Sequence, residues 1–391
     1  MALRISALLA VACGIEIGGT AAFAQVRYEF SAEAAPDWTA LFDTTSGWAG
    51  ADGIYTIPLN GVDAPGTATA QSRTVFVFSD TFVGDVNAQG ERMPGTVLIN
   101  NTMAMLRGAD PVPANMRFYY PIVNGDPRSV LIPNTQDSQP GDWYWLQDGI
   151  AVNGKLQVFT LRMEPGDGGV FNFKVAGVGV ATKPISNPRA NWQQADAPLF
   201  VPGDGVRGDL IFGCSFMPNT VEAGAPDPDG YIYIYGTQND PLVKKLLAAR
   251  VTPAEFEDFS AWRYWDGSGW GADINSAAPI TSRVSSELSV TPLGNGNYLA
   301  VFQLDTLSDN VAVRVGESPV GPFGPVQIVW NCPETNITPD TYPYNAKAHP
   351  HLSKPGELLI SYNVNSFAFG DHFRNADIYR PRFIRLAITE H

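Results

Sequence analysis

The chain has 391 residues, of which 45% are hydrophobic, and its formal net charge at pH 7 is −14. This length allows a large hydrophobic core, and the acidic balance argues against a nucleic-acid partner. Charged residues make up only 16% of the chain, which contains 38 glycines and 31 prolines. Few charges combined with many turn-forming residues are typical of an all-β protein built from many short strands.

The N-terminus has the pattern of an export signal. Arg4 precedes an apolar run, and Ala22-Phe23-Ala24 matches a signal-peptidase site. We therefore expect residues 1–24 to be a signal peptide and residues 25–391 to form a single domain in a secreted or periplasmic protein. Acylation at Cys13, as in a lipoprotein, is the second interpretation. No later segment is long and apolar enough to span a membrane.

Two cysteines, Cys214 and Cys332, remain after such a cleavage. They are too few for a disulfide framework. In an exported protein they could form one bridge, and the alternative is two buried thiols. The sequence leaves both alternatives open.

The first predicted strands are Gly50–Leu59 and Thr74–Phe82, two runs of alternating, β-branched and aromatic residues. A turn-rich insert between them predicts an antiparallel pair. Asp52 lies near the start of the first run and Asp80 near the end of the second. Because antiparallel neighbours bring such ends together, both carboxylates should emerge at one rim of the sheet. Two carboxylates beside aromatic residues indicate a sugar-handling site.

The remaining strands fall into clusters, each with three or four members. Thr96–Leu106 completes the first cluster, and the later four lie within residues 148–181, 209–251, 286–315 and 346–388. The best helix candidate is Pro241–Arg250. Repeated strand clusters predict a five-bladed β-propeller with four-stranded blades, in which Val26–Phe30 pairs with the last cluster and closes the ring. A sixth blade would need strands hidden within residues 261–281.

The first strand of each propeller blade lines the central channel, so polar residues on these strands converge. The chain places Asp52, Asp148, Glu287 and His349 at such positions in four blades, whereas the third blade offers Asp209 or nothing. Glycosidic cleavage needs one protonated and one ionised carboxyl group, and neighbouring carboxylates drive their pKa values apart. These residues are therefore candidates for catalysis.

Each candidate also has a structural interpretation. Asp52 and Asp148 each precede a glycine, where aspartate often forms a turn, and Asp80 could cap a turn in the same way. Glu287 lies in an apolar stretch, so its charge must face solvent, a partner or the channel. His349 could be a buried, hydrogen-bonded histidine. We expect no metal site at this histidine, because no third ligand is near it and His351.

Amide and aromatic side chains provide candidates for sugar binding. Asn101 and Asn363 could offer hydrogen bonds to sugar hydroxyls, or they could cap strand ends. Trp145 could stack on a sugar ring above the channel. Tryptophan also packs between blades, so we expect about half of the tryptophans in the loops to belong to the core.

Five segments carry a family resemblance: GADGIYTIPL, VFVFSDTF, INNTMAM, AHPHLSKPGELLISYNVN and YRPRFIRL. They resemble exported five-bladed propeller glycosidases, most closely the domains of unknown function 4185 and 5005. Some members of these families resemble endo-D-arabinanases that act on mycobacterial cell-wall arabinan. The resemblance therefore implies activity on furanosides such as arabinan.

A more distant resemblance is to glycoside hydrolase family 43. That family uses a base Asp on the first blade, a pKa-tuning Asp on the second and an acid Glu on the third. Asp52 and Asp148 match the first two by blade, whereas the acid is assigned to Glu287 on the fourth blade because the third has no matching Glu. The same resemblance implies a calcium ion or a water near His349, and we consider no other cofactor.

These observations together predict an exported furanoside hydrolase. Asp52 is the expected base or nucleophile and Glu287 the acid, with Asp148 and Asp80 as electrostatic partners and His349 as a positioning residue. The expected partner is a poly- or oligosaccharide, and the chain should be a monomer. A non-catalytic carbohydrate-binding propeller is the main alternative. A phosphorylase would need a basic anion pocket, for which Arg207 and Lys347 are the available cations.

Overall fold

The computed structural model describes residues 27–166, 168, 172–241 and 243–391. The predicted signal peptide, including Cys13, lies outside this part of the chain. The described residues form an all-β structure whose strands, numbered in chain order, are β1 (Tyr28–Ala34), β2 (Trp48–Ala51), β3 (Tyr55–Pro58), β4 (Arg73–Phe78), β5 (Thr81–Val83), β6 (Val97–Ile99), β7 (Thr102–Arg107), β8 (Met116–Tyr119), β9 (Ile122–Val123), β10 (Asp126–Pro127), β11 (Trp143–Val152), β12 (Lys155–Pro165), β13 (Phe173–Pro184), β14 (Gln193–Ala197), β15 (Phe200–Val201), β16 (Asp209–Asn219), β17 (Tyr231–Asp240), β18 (Val243–Val251), β19 (Arg263–Trp265), β20 (Trp270–Gly271), β21 (Thr281–Ser282), β22 (Leu288–Gly294), β23 (Asn297–Gln303), β24 (Asn310–Gly316), β25 (Gln327–Asn331), β26 (Thr341–Ala348), β27 (Glu357–Ser366) and β28 (Arg382–Glu390).

Helices are short throughout the described chain. The α-helices are α1 (Pro36–Thr39) and α2 (Asp371–Arg374). Single turns of 3₁₀-helix cover Ala40–Phe42, Pro113–Asn115, Pro253–Glu255, Phe259–Ala261, Ile274–Ser276, Pro333–Asn336 and Pro350–Leu352. Among the described residues, no helix is long and apolar enough to cross a membrane.

Five main antiparallel sheets follow one another along the chain. Their strand orders are β3-β4-β7-β8, β11-β12-β13-β14, a third sheet running from β15 to β20 with β21 paired to β18, β22-β23-β24-β25, and β26-β27-β28-β1. Two small sheets, β2-β5-β6 and β9-β10, flank the first. The expected four strands are thus found in four main sheets, whereas the third has seven.

Apolar clusters between neighbouring sheets form the core. Val77 of the first sheet packs with Val158 of the second, and corresponding clusters join the second sheet to the third, the third to the fourth and the fourth to the fifth. Phe78 of the first sheet then packs with Leu359 and Phe383 of the fifth. The inner strands β3, β11, β16, β22 and β26 lie side by side in this order. The five sheets therefore pack as a closed series.

The N-terminal segment pairs with the last strand. Strand β1 is antiparallel to β28, with Tyr28 opposite Glu390 and Ala34 opposite Ile384. The predicted pairing of Val26–Phe30 with the last cluster is therefore confirmed for its described residues. This pairing covers an edge that would otherwise expose unpaired backbone groups.

The predicted helix at Pro241–Arg250 is wrong, because this segment is mainly strand β18. Leu246 and Ala248 face the cluster shared with the fourth sheet, whereas Leu247 and Ala249 face the one shared with the second. Burial on alternate faces explains the strand and overrides the helix preference of Lys, Leu and Ala. The strands found within residues 261–281 extend the third sheet and do not form a sixth sheet.

Cys214 and Cys332 are both free and buried. They belong to different apolar clusters, on the two sides of the fourth sheet. Of the two alternatives that the sequence left open, the structure has two buried thiols.

Candidate active site

Antiparallel pairing of two short strands places two aspartates beside each other. Strands β2 and β5 pair Ala51 with Thr81, and the next residues along are Asp52 and Asp80. The backbone N–H of Asp52 donates to the Asp80 carbonyl at 3.3 Å, and the Asp52 carbonyl accepts from Ser79 at 2.9 Å. Both aspartates line one cavity of about 480 Å³, as does Glu287 from the fourth sheet. The structure thus brings together three of the four predicted catalytic residues.

Two tyrosines on the side of the cavity formed by the fifth sheet make hydrogen bonds to the Asp52 carboxyl group. The hydroxyls of Tyr344 and Tyr379 donate to Asp52 Oδ2 at 2.6 and 2.9 Å. Asp52 Oδ1 is buried and has no hydrogen-bond partner among the described residues. Burial, and then the neighbouring Asp80, raise the pKa of Asp52 to about 8, against the lowering effect of the tyrosine hydroxyls. Burial therefore favours the protonated form of Asp52.

Asp80 has donors of a different kind. Its Oδ1 accepts from the indole N–H of Trp145 at 2.9 Å and from the Asn100 amide at 3.3 Å. Burial raises the pKa of Asp80 to about 6, and these two donors oppose the rise. Both pKa values are thus raised, that of Asp52 more than that of Asp80, which favours one proton held by the pair near neutral pH.

Glu287 forms a buried ion pair with Lys347. The Lys347 Nζ lies 2.5 Å from Glu287 Oε2, and the lysine side chain is 1% exposed. The same ammonium lies 4.5 Å from the centre of the Tyr55 ring. Burial raises the pKa of Glu287, whereas Lys347 and Tyr55 lower it. A carboxylate that balances a buried ammonium is poorly suited to be the proton donor.

Asp148 does not join the other acids. Its carboxylate accepts the backbone N–H groups of Phe216 and Gly149, both at 2.8 Å. It lines a separate small cavity together with Asp63 and His349. Burial raises the pKa of Asp148 to about 8. The side chain links strand β11 to strand β16, which is the contact of a structural residue.

His349 and Asn101 are also buried away from the cavity that holds Asp52. The two ring nitrogens of His349 hydrogen-bond Thr56 Oγ1 and Ser361 Oγ, each at 2.8 Å. Burial lowers the pKa of His349 well below its usual value. The side-chain amide of Asn101 donates to the carbonyl oxygens of Leu131 and Tyr144, and its Oδ1 accepts the backbone N–H of Leu131. Their predicted contact with substrate or with the catalytic acids therefore has no structural support.

The two remaining predicted binding residues differ from each other. Trp145 lines the cavity and packs edge-on against Phe173, with ring centres 4.6 Å apart. Asn363 is 1% exposed and does not line the cavity, whereas Asn365, two residues later on β27, does. Asn365 donates to the Tyr344 hydroxyl at 3.4 Å. It therefore helps to position Tyr344, a residue that the sequence analysis did not identify.

Tyr344 and Tyr379 are the residues beside Asp52 that sequence reasoning missed. Tyr344 alternates with Tyr342 in the run TYPYN, a signal that two tyrosines face the same side of a strand. Tyr379 lies in a loop with a φ of 77° within the motif YRPRFIRL, and nothing in its pattern indicates a position beside Asp52. Both depend on contacts between the ends of the chain.

Arg92 holds the Tyr379 loop against strand β2. Its buried guanidinium donates to the carbonyls of Ala49, His372, Ala376 and Ile378. It also lies 4.4 Å from the centre of the Phe82 ring. Gly50 is required here, because its φ is 141° and a Cβ would collide with Arg92 and the Tyr379 carbonyl.

The side chains near His349 do not suit the calcium ion that the family resemblance implies. Nowhere in the described part of the chain do three or more His, Cys, Asp or Glu side chains form a group that could hold a metal. Calcium needs six or more oxygen ligands. The small cavity beside His349 contains the acids Asp63 and Asp148, but it also contains the Lys347 ammonium, which repels a cation. Calcium binding in the channel stays an untested prediction.

Comparisons with known proteins place this site in context. No curated protein sequence matches the chain. A crystal structure of a candidate hydrolase from Bacteroides ovatus ATCC 8483 has a TM-score of 0.68 at 20% identity, over 91% of this chain and 90% of that one. This likeness shows a shared fold.

Two further structures are more distant. The α-L-arabinofuranosidase CtGH43 from Clostridium thermocellum ATCC 27405 has a TM-score of 0.43 at 14% identity, over 79% of this chain and 82% of that one. A GH43_1 enzyme from Xanthomonas citri complexed with xylose has a TM-score of 0.40 at 16% identity, over 90% of this chain and 93% of that one.

The model of the domain of unknown function DUF5005 matches residues 36–388. The chain therefore belongs to the DUF5005 family.

Proposed function

We propose that the protein is an exported glycoside hydrolase and that its five main sheets are the blades of a five-bladed β-propeller. The closed series of sheets, with five inner strands side by side, supports the propeller. The signal-like residues 1–24 support export. The observation that carries the enzymatic function is the pair of adjacent aspartates with separated pKa values in one cavity.

The environments of the two aspartates favour different roles. Burial favours the protonated form of Asp52. It is therefore the better general acid for the leaving oxygen. Asp80, which accepts two N–H donors, is the better ionised carboxylate, either as nucleophile or as base for water. These roles differ from those predicted from sequence, where Asp52 was the base or nucleophile, Glu287 the acid and Asp80 an electrostatic partner.

The substrate we propose is a furanoside saccharide such as arabinan, which rests on the family resemblance of the motifs. The cavity of about 480 Å³ has the volume for about one or two sugar units. Tyr342 at its edge packs on the exposed Phe367, with ring centres 4.3 Å apart. Aromatic faces of this kind stack on sugar rings, so the edge could hold a further unit of a polymer.

Hydrolysis of furanoside polysaccharides and aryl furanosides by the wild type and three variants tests the proposal. We expect Asp52→Asn and Asp80→Asn each to reduce kcat/KM by about 100-fold or more, which is the usual scale for losing a general acid or base. Asp85→Asn is the matched control, because Asp85 is an exposed acid on the same part of the chain. Circular dichroism checks that each variant is folded.

The outcomes separate the two candidate functions. Cleavage that survives in both Asp52→Asn and Asp80→Asn would refute this catalytic pair. A wild type that binds a polysaccharide but cleaves nothing would favour the non-catalytic carbohydrate-binding propeller.

A further inference from the structure

One lysine in the cavity lacks the acidic partner that the other lysine there has. Lys174, which also lines the cavity, pairs with Glu164 at 3.1 Å. Lys244 forms no ion pair with any described residue. Its Nζ donates only to Asn239 Oδ1, at 2.9 Å.

The adjacent lysine shows that an acidic partner is within reach of this strand. Lys245, the next residue on β18, pairs with Asp240 at 2.5 Å. Lys244 instead lines the cavity beside Asn239 and Thr237. An ammonium group has three N–H donors, and the one hydrogen bond of Lys244 to a neutral amide leaves two of them for a further acceptor. The position favours an anion supplied by a ligand.

Lys244 reaches the cavity from a different sheet than the proposed catalytic pair. Burial lowers the pKa of Lys244, and the charges that oppose this are those of Asp209 and Cys214, not those of Asp52 or Asp80. The lysine belongs to the third sheet, whereas the two aspartates belong to the first part of the chain. It is therefore placed to recognise a substrate and not to exchange a proton with the reacting bond.

The charges around the cavity do not repel an anion there. Glu287 is balanced by Lys347, and burial favours the protonated form of Asp52. The ionised Asp80 and the ammonium of Lys244 then have opposite signs. A local balance of this kind lets the cavity accept an anion although the whole chain has a net charge of −14.

We propose that the saccharide bound in this cavity carries an anionic substituent that pairs with Lys244. This inference rests on the proposed glycoside hydrolase function. Asn239 accepts the lysine N–H through Oδ1, which leaves its amide N–H₂ as a second donor for the same anion. The chemistry required of the ligand is an oxyanion on a sugar ring, either the carboxylate of a uronic acid or a sulfate or phosphate ester.

Binding measured by isothermal titration calorimetry tests this inference. The probes are a neutral arabino-oligosaccharide, the same oligosaccharide carrying one uronic acid, and the same oligosaccharide carrying one sulfate or phosphate ester. We expect the wild type to bind one of the acidic probes about 10- to 100-fold more tightly than the neutral one, the range for a hydrogen-bonded charge pair. The better acidic probe identifies the anion.

Two lysine variants provide the contrast. Lys244→Met should lose the preference for the acidic probe and keep the affinity for the neutral one. Lys245→Met, at the neighbouring residue that already has an acidic partner, should keep the preference. Thermal unfolding of both variants checks the fold, and Lys244→Gln serves as a second test if Lys244→Met is unstable.

The results distinguish this inference from the proposed function. Equal affinity of the wild type for neutral and acidic probes overturns the inference, even if the neutral probe is hydrolysed as the proposed function requires. A Lys244-dependent preference without hydrolysis supports the anion site and removes the hydrolase. Formation of a sugar 1-phosphate in added inorganic phosphate, lost in Lys244→Met, would instead assign the ammonium to a phosphate co-substrate and overturn the inference.

Discussion

Removing the hydroxyl of Tyr344 should raise the pKa of Asp52. This hydroxyl donates to Asp52 Oδ2 at 2.6 Å and stabilises the ionised form. A hydrogen bond to a charged group contributes about 1.5–3 kcal/mol, and one pKa unit corresponds to about 1.4 kcal/mol. Tyr344→Phe should therefore raise the pKa of Asp52 by about one to two units from its starting value of about 8.

Two measurements report this change. Carbon-13 NMR of labelled aspartate carboxyl groups follows the titration directly, with Asp52→Asn identifying the signal. The pH profile of kcat/KM follows it through catalysis: because the protonated form of Asp52 is the proposed acid, activity falls as pH rises through its pKa. The alkaline limb should therefore move to higher pH in Tyr344→Phe.

Tyr342→Phe is the matched control. Tyr342 lies on the same strand and lines the same cavity, with its ring centre 5.7 Å from that of Tyr344, but its hydroxyl makes no hydrogen bond to Asp52. The reasoning is refuted if Tyr344→Phe leaves the pKa of Asp52 unchanged or lowers it. It is also refuted if Tyr342→Phe produces the same rise.

Three further predictions concern the groups around the two aspartates. Trp145→Phe removes the indole N–H that donates to Asp80, so the pKa of Asp80 should rise from about 6. The acidic limb of the pH profile of kcat/KM should then move to higher pH. If this limb does not move, Asp80 does not need to be ionised for activity. Lys347→Met should lower the free energy of unfolding, measured in urea, by about 3–5 kcal/mol because it leaves Glu287 buried and unpaired. The double variant Lys347→Met/Glu287→Gln should recover much of that loss. If the losses of the two single variants simply add in the double variant, the ion pair is contradicted. Arg92→Met should destabilise the protein by about 3 kcal/mol or more, because several buried carbonyl groups lose their hydrogen-bond donor. Limited proteolysis of this variant should then cut the chain near α2 first. An equal rate of cleavage there in the wild type would argue against the proposed role of Arg92.

The strands and the rim position of Asp52 and Asp80 were predictable from local pattern. Alternation of apolar residues identified the strands on either side of the insert, and antiparallel pairing alone brought the two aspartates together. Export, the catalytic roles and the identity of the substrate stay predictions, because none of them depends on local pattern in this way.

Two of the candidates on the inner strands, Asp148 and His349, do not line the cavity that holds Asp52, and the reason is geometric. The pairing register shifts between Leu146 and Gly149 on β11, and again between Tyr344 and Lys347 on β26. A β-bulge of this kind re-aims the side chains that follow it, so counting alternate residues gives the wrong face beyond it. Asp148 lies within the first shift, and its carboxylate turns to backbone N–H groups while Trp145, before the shift, reaches the cavity.

The two tyrosines were beyond sequence reasoning because they reach Asp52 across the join between the ends of the chain. Asp52 follows β2, whereas Tyr344 and Tyr379 belong to the segment from β26 to β28, and β28 is the strand that β1 covers. Packing of Phe78 against Phe383 and the contacts of Arg92 fix the distance between these segments. The pKa of Asp52 therefore depends on how the first and fifth sheets pack, and any loosening of that join removes both hydroxyl donors at once. The packing that closes the series of sheets therefore also brings the two hydroxyl donors to the proposed acid. Residues near Asp52 in the sequence do not show these contacts, so the effect of the tyrosines on its pKa could not be predicted from those residues alone.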